Sequence, residues 1–565
     1  MKTRVLMARA GPALLGLVLV AGCAMYFVNL RADPPRKLSR SAGAYFDGLS
    51  NAHAARSYVL FGKLRPDEWD PYVYSPTYVL LQIPWFRLFG TGLAATRGFG
   101  AFWSVLAVLL AVYGLRAVGR SAVLLAVFLF AANYTLLHFG RLALFENLMI
   151  FFMLCTVACF ARRPVTGLRC FLAGCFCMLS YATKSISVYF LPAAGCGILL
   201  ICGQTWVRAR STKRALLPAA WFALGFLLVF LPWLLWFRIP NAAPIAKAGR
   251  MWLSMSWPRN LPEAFRTMAT SPVFFALSGH GKDQLWILSV SVAGLVLYRC
   301  TGRRVLDMPP VVLVLTVWFV CGVGLTSLFR HNPPRYFYPL LPASLGLAVV
   351  GLTWLLALRE LPCRPRRWWT ADPLGLLVTT VAVRFYLVYL VPLNSVLPAE
   401  FPRVWSKLLV SVACAALLWA VTRAALHFRN KPIPLRRSVR IAVAALVCLY
   451  VVQGNLLPSR KAFRNPRRTV AAFSRSLRER SDMVIGGTTA LAAVVENRNI
   501  AVRIGSGWYN DEAPFARYGL THLLLTRYAG EEDRFRIAYP DQMARTREID
   551  KVNLCGYPFR LYELE

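Results

Sequence analysis

Long apolar runs separated by short basic clusters fill the first 457 residues. About twenty apolar residues cross a bilayer as a helix. Runs of that order, bounded by charge, predict spans near 10–30, 97–116, 121–138, 147–161, 168–183, 185–203, 215–236, 285–299, 309–329, 336–358, 373–392, 404–423 and 440–457. Some are short, and Arg384 interrupts the eleventh, either snorkelling or facing a polar cavity. The first run contains Leu19-Val20-Ala21-Gly22-Cys23, which looks like a lipoprotein cleavage box. Its apolar pattern continues through Val28, so 10–30 reads as a retained span and signal anchor.

Charge sets the expected orientation. With the N-terminus inside, the cytoplasmic connections are 116–120, 162–169, 208–214, 299–304, 359–367 and 423–440, each carrying at least two basic residues. The short outer turns are sparse in charge, as the positive-inside rule requires. Three larger pieces then lie outside: 31–96, 237–284 and the tail after 457. In the first, Tyr74 to Gly90 is apolar with interspersed Trp85, Phe86 and Arg87, a pattern that suits an interfacial helix with its aromatic face towards lipid. The second is rich in proline and aromatics and reads as a lid over a site. The tail changes character. Pro466–Arg480 and Ala490–Val495 read as helices, and Met483–Ile485, His522–Thr526 and Phe559–Tyr562 as short strands of a small α/β domain. Gly486-Gly487 after a strand is a plain strand-to-helix turn or a phosphate loop, the former being the stronger reading.

The expected fold is therefore an all-α polytopic membrane domain, residues 1–457, followed by an extracytoplasmic α/β domain, 458–565. Composition agrees. Of 565 residues, 57% are hydrophobic and 16% charged, which does not describe a string of soluble domains. The net charge of +40 would suggest nucleic acid, but residues 458–565 hold 18 basic and 13 acidic side chains, so the excess sits between apolar runs. A nucleic-acid binder, a collagen, a disordered chain and a disulfide scaffold are excluded. Thirteen of 14 cysteines precede residue 458, mostly inside apolar runs, and read as small buried core residues.

Acids are rare in the membrane part, so each is informative. Asp47 lies in Tyr45-Phe46-Asp47-Gly48 after the first span, and Glu146 at the outer mouth of the third and fourth. An ionised carboxylate at that depth costs several kcal/mol unless a cation or metal compensates it. Asp47 is otherwise a solvated loop acid, and Glu146 a helix-start acid paired with Arg141. Cations gather on the same side: Lys184 in Thr183-Lys184-Ser185, Arg335 in Pro334-Arg335-Tyr336, and Arg141. They form an anion pocket at the bilayer surface, or else Lys184 snorkels from a turn and the aromatics around Arg335 belong to an interfacial belt. Two carboxylates with several cations suit glycosyl transfer from a phosphate leaving group, one acid serving as base and the cations meeting charge on the phosphate.

In this order and sidedness the residues resemble the membrane-embedded GT-C glycosyltransferases that use polyprenyl-phosphate sugars, in the branch of the aminoarabinose-lipid A transferase and the protein O-mannosyltransferases. The matching features are Tyr45-Phe46-Asp47, the loop helix ending Leu88-Phe89-Gly90, Arg141 with Glu146, Thr183-Lys184, and Pro334-Arg335-Tyr336. The resemblance covers roughly residues 10–360 and implies inverting transfer to a lipid, glycan or protein acceptor on the outer face of a bacterial inner membrane. It implies that Asp47 activates the acceptor hydroxyl or helps hold a divalent metal, with Glu146 the second acid. Lys184, Arg141 and Arg335 would hold the lipid phosphate, and Tyr45, Tyr74 and Tyr336 would line the substrate. His53 and His280 are further candidate ligands for the metal. Relatives of the aminoarabinose enzyme carry an acidic-basic pair where this chain has Tyr74-Ser75, and an aspartate where it has Glu146. Outside this class, a flippase for a lipid-linked glycan and a non-catalytic envelope scaffold share the composition.

Overall fold

A computed structural model gives the fold, describing chiefly residues 13–246, 257–264, 308–357 and 455–565, short stretches within them apart. The expected spans near 285–299, 373–392 and 404–423 lie outside the described residues, as do Arg384, His280 and most of the loop 237–284. The described part before residue 458 is helical. Four of its helices are long and apolar enough to cross a membrane: Leu93–Leu115, Ser185–Ala209, Thr212–Arg238 and Pro310–Ser327. Arg120–Ala131 and Tyr134–Gly140 make a fifth, bent by 57°. The bend is local chemistry, since Asn133 leaves the helical region and its side chain accepts from Leu136 N to start the second helix. Leu15–Phe27 and three further apolar helices are shorter.

Three helices position the two acids. Between the first two expected spans lie α1 (Gly43–Phe61) and α2 (Pro76–Phe89), and α3 is Phe145–Cys159. Helix α1 is absent from the sequence reading, because its apolar and polar positions follow no helical stripe. It is buried nearly all round, between membrane helices and tail. The aromatic face of α2 turns onto the protein rather than into lipid: Tyr78 packs edge-on against Phe99 and Phe145, and Trp85 donates to Ala95 O. Leu80, Leu88 and Phe89 are its exposed large apolar residues. The helices Gly167–Thr183 and Thr212–Pro232 meet backbone to backbone through Gly174 and Gly225, where a β-carbon would run into the facing chain at Phe222 and Phe171. Close approach through small residues is how membrane helices gain dispersion contact without a hydrophobic drive. The outer side of Thr212–Pro232 is a run of exposed leucines, as a lipid-facing surface requires.

Cysteine burial is mixed. Cys155, Cys170, Cys177 and Cys555 are buried, but six others are half-buried and Cys448 is exposed; none of the described ones is bridged.

The tail carries a five-stranded sheet in the order β2-β1-β3-β5-β4. Its strands are β1 (Val484–Gly486), β2 (Ile500–Val502), β3 (His522–Thr526), β4 (Thr546–Leu554) and β5 (Tyr557–Leu564). The first three pair in parallel, and β5 pairs antiparallel with both β3 and β4. Gly486-Gly487 opens a turn whose Thr488 N–H and hydroxyl donate to the buried Glu531 carboxylate, which also accepts from Thr526 N at 3.1 Å. An internal carboxylate thus takes the donors a phosphate loop would offer.

The tail docks on α1. Arg56, 2% exposed, donates through Nη2 to the carbonyls of Val494, Asn497 and Asn499 at 2.9, 2.7 and 3.2 Å. Burial pushes its guanidinium down to about 10, so it stays charged at neutral pH. Phe46 packs edge-on against Phe559 and Tyr45 lies against Tyr557.

Candidate functional site

The two acids are brought together by one contact. Helix α1 crosses the turn that precedes α3: Asn51 Nδ2 donates to Ala143 O at 3.2 Å, and a β-carbon on Gly48 would lie 3.0 Å from Ala143 N. Any larger residue at 48 would crowd the Ala143 backbone and push the two segments slightly apart. Asp47 is adjacent to Gly48, and Glu146 stands in the first turn of α3, three residues past Ala143. The turn is braced by Asn147, whose Nδ2 donates to Gly140 O and Leu142 O, while its Oδ1 accepts from Tyr338 OH at 2.9 Å.

Each acid meets a cation from a distant part of the chain. Lys184 Nζ lies 2.6 Å from Glu146 Oε1; the carboxylate side chain is 3% exposed and the lysine 22%. Arg335 Nη1 pairs with Asp47 Oδ2, and Arg503 Nη2 approaches Asp47 Oδ1 at 3.6 Å. The two pairs share one neighbour. The ring of Tyr336, itself buried, has Lys184 Nζ at 5.8 Å from its centre and the Arg335 guanidinium carbon at 5.3 Å. Asp47, Arg335, Tyr336, Lys184 and Glu146 therefore form one cluster. Cations near an aromatic face are attracted by its quadrupole, which favours this arrangement.

The other expected residues are placed differently. Glu146 pairs with Lys184, not with Arg141. The Arg141 guanidinium donates to the carbonyls of Val28 and Asn29 and lies 4.7 Å from the Phe463 ring centre. It lines a separate hollow with Arg97, His138 and Asp33, where it neutralises the carboxyl-terminal carbonyls of the first helix. The Tyr45 hydroxyl donates to Pro35 O. Tyr74 packs against the apolar cluster that contains Tyr78, Phe99 and Phe145. His53 is buried on α1, but six residues beyond Asp47, about 120° round the helix from it.

The donor set does not suit a metal. Asp47 lies between guanidiniums and Glu146 against an ammonium. Among the described residues, no three His, Cys, Asp or Glu side chains gather at one place.

Sequence reasoning missed four participants. Tyr78 is fully buried, and its hydroxyl is pushed well above its usual range by burial first and by the Glu146 charge second. That hydroxyl has no hydrogen-bond partner among the described residues. Asn147 and Tyr338 carried no signal beyond being polar in an apolar run. Arg503 carried none, because the tail is full of arginine.

Comparison with known proteins bears on the fold. A family model described as dolichyl-phosphate-mannose-protein mannosyltransferase matches residues 73–242, the stretch that holds Tyr78, Glu146 and Lys184. No curated protein matches the chain. Among solved structures, the chain is similar to ArnT from Cupriavidus metallidurans bound to undecaprenyl phosphate, at 14% identity over 97% of this chain and 98% of that one, with a TM-score of 0.56. It is also similar to the same protein in its apo state, at 14% identity over 98% of each chain and a TM-score of 0.57. The Archaeoglobus fulgidus oligosaccharyltransferase tethered to an acceptor peptide aligns at 11% identity over 91% of this chain and 69% of that one, with a TM-score of 0.46. The chain is a multi-pass membrane protein with the fold of the GT-C glycosyltransferases. The resemblance seen in the sequence holds at that level.

Proposed function

We propose that this protein is an inverting glycosyltransferase that moves a sugar from a polyprenyl-phosphate carrier to a lipid, glycan or protein acceptor. The observation that carries the reading is the Tyr336-centred cluster, with two carboxylates and their two cations around one ring. Undecaprenyl phosphate in the similar ArnT structure supports a lipid-phosphate donor.

The chemistry follows from charge. Asp47 accepts the proton of the acceptor hydroxyl as its oxygen attacks the anomeric carbon. The bond from that carbon to the phosphate oxygen breaks on the opposite face, so configuration inverts. Lys184 and Arg335 meet the charge that grows on the leaving phosphate, where a preorganised cation stabilises the transition state most. Glu146 holds Lys184 in place, and the Tyr78 hydroxyl is available to a sugar hydroxyl. A divalent cation would supply Lewis-acid help at the phosphate, but Asp47 and Glu146 are engaged by side-chain cations, so no step passes through one.

A bacterial inner-membrane location is part of this reading, supported by the N-x-S/T sequon Asn133-Tyr134-Thr135 lying in an expected span, and the distribution of basic clusters supports a cytoplasmic N-terminus with the α/β tail on the outer side.

The test is D47N in membrane vesicles containing the native polyprenyl-phosphate sugars, with release of free polyprenyl phosphate followed by mass spectrometry. Loss of the base lowers transfer by at least about a hundredfold. Full transfer by D47N would overturn Asp47 as the base, and no release of polyprenyl phosphate by the wild type would overturn the transferase reading and leave a flippase or scaffold.

A further inference from the structure

We propose that Arg503, from the α/β tail, belongs to the phosphate end of this site. With Arg335 it forms a two-guanidinium seat that Asp47 occupies when the carrier is absent and the carrier phosphate takes over when it binds. The proposal rests on the polyprenyl-phosphate reading of the site.

Arg503 follows β2 directly, and its side chain is 8% exposed. It reaches a carboxylate that belongs to α1, more than 450 residues away in the chain. The approach is fixed by independent contacts: Arg56 ties α1 to Val494, Asn497 and Asn499, immediately before β2. Phe46, beside Asp47, packs on Phe559 of β5. The tail is thus seated where it can contribute a side chain to the chemistry.

The carboxylate oxygens are divided between the two arginines, Oδ2 to Arg335 and Oδ1 to Arg503. Two guanidinium forks converging on one small anion suit a phosphate, because the planar fork matches its oxygens with paired hydrogen bonds. The donor's phosphodiester carries one negative charge, as the carboxylate does, and the polyprenyl phosphate it leaves behind is a monoester with more charge and more acceptor oxygens, so both compete for the same donors and the leaving phosphate does so more strongly. When the donor takes them, Asp47 loses its ion partners and becomes free to take a proton. Arrival of the donor and release of the base become one event.

The experiment uses the full chain in detergent or nanodiscs, with undecaprenyl phosphate as the probe and binding measured by native mass spectrometry over a range of salt. Wild type binds. R503M binds at least about tenfold more weakly, the scale of one lost charge-assisted contact, and R503K falls between them, keeping the charge without the fork. D47N binds several-fold more tightly than wild type, because the competing carboxylate is gone. A purely structural Arg503 would lower thermal stability but leave affinity unchanged. R503K and R503M binding as well as wild type, or D47N binding more weakly, would overturn the seat while leaving the transferase reading intact. No binding by wild type would overturn both. Should R503M fail to fold, R503K and D47N still decide.

Discussion

Replacing Lys184 by Met removes the only described cation within ion-pair distance of a carboxylate that is 3% exposed. Met keeps the length and most of the apolar stem, so the change is close to a deletion of charge. Two unit charges about 4 Å apart attract by about 4 kcal/mol at an effective dielectric constant of 20. Removing one partner of a buried pair costs about 3–5 kcal/mol, because the other is left charged without compensation. With Lys184 partly open to water, K184M should lose about 3 kcal/mol. E146Q should lose less, since the amide is neutral and the ammonium can turn to solvent. The double variant K184M/E146Q should recover much of the K184M loss, giving a coupling of about 2 kcal/mol, well above the few tenths expected of independent sites. The measurement is chemical denaturation of purified protein in one detergent, followed by near-UV circular dichroism. If the two losses simply add, Glu146 is solvated in the native protein and the pair is not a buried one. Transfer should fall in all three variants, so regained stability without regained activity would separate the structural from the chemical role of the pair.

Three further outcomes concern a close approach, the docking of the tail and acid stability. G48A places a methyl 3.0 Å from the Ala143 backbone, so α1 must move off the turn; transfer should drop at least about tenfold while thermal stability changes little, because alanine's helix preference of about 1 kcal/mol offsets the crowding. R56M takes the arginine donor from three buried carbonyls, of which Val494 O keeps its bond from Asn497 N, and should cost about 2–3 kcal/mol, read as earlier release of the tail in limited proteolysis. The last concerns pH. Burial acts to raise Glu532, but hydrogen bonds from Tyr562 and Arg536 and the charge of Arg560 outweigh it and hold the carboxyl below its usual value. Its stabilisation is therefore full above the unfolded value and disappears as pH falls through the folded one. Hydrogen exchange in β3 and β5 should rise steeply below about pH 4.5 in wild type and less steeply in E532Q. An identical acid profile for the two would show that Glu532 contributes nothing to acid stability. Neighbouring Glu531 is raised by burial, which gives it the opposite sign, and it is common to both proteins.

Much of this protein was determined by composition along the chain. Apolar length and flanking charge marked membrane helices such as Leu93–Leu115 and Pro310–Ser327, because a bilayer leaves a segment of that kind few alternatives. The scarcity of acids before the tail singled out Asp47 and Glu146, because an uncompensated carboxylate at such depth is too costly to be incidental. In the tail, β3 was legible from an unbroken apolar core, His522–Thr526. The edge strand β4 was not, since its outward charges protect an exposed edge and erase the alternation that marks a strand. Helix α1 was hidden for the opposite reason: buried by different partners on different sides, it needs no single apolar stripe.

Only the tertiary structure decided who meets whom. Nothing in the order of residues says that Lys184 takes Glu146 while Arg141 turns to the carbonyls of Val28 and Asn29, or that an arginine beyond β2 reaches Asp47. Residue type sets what a charge needs, but a partner several hundred positions away is chosen by packing. In this protein that packing is the seating of α1 between the Ala143 turn and the tail.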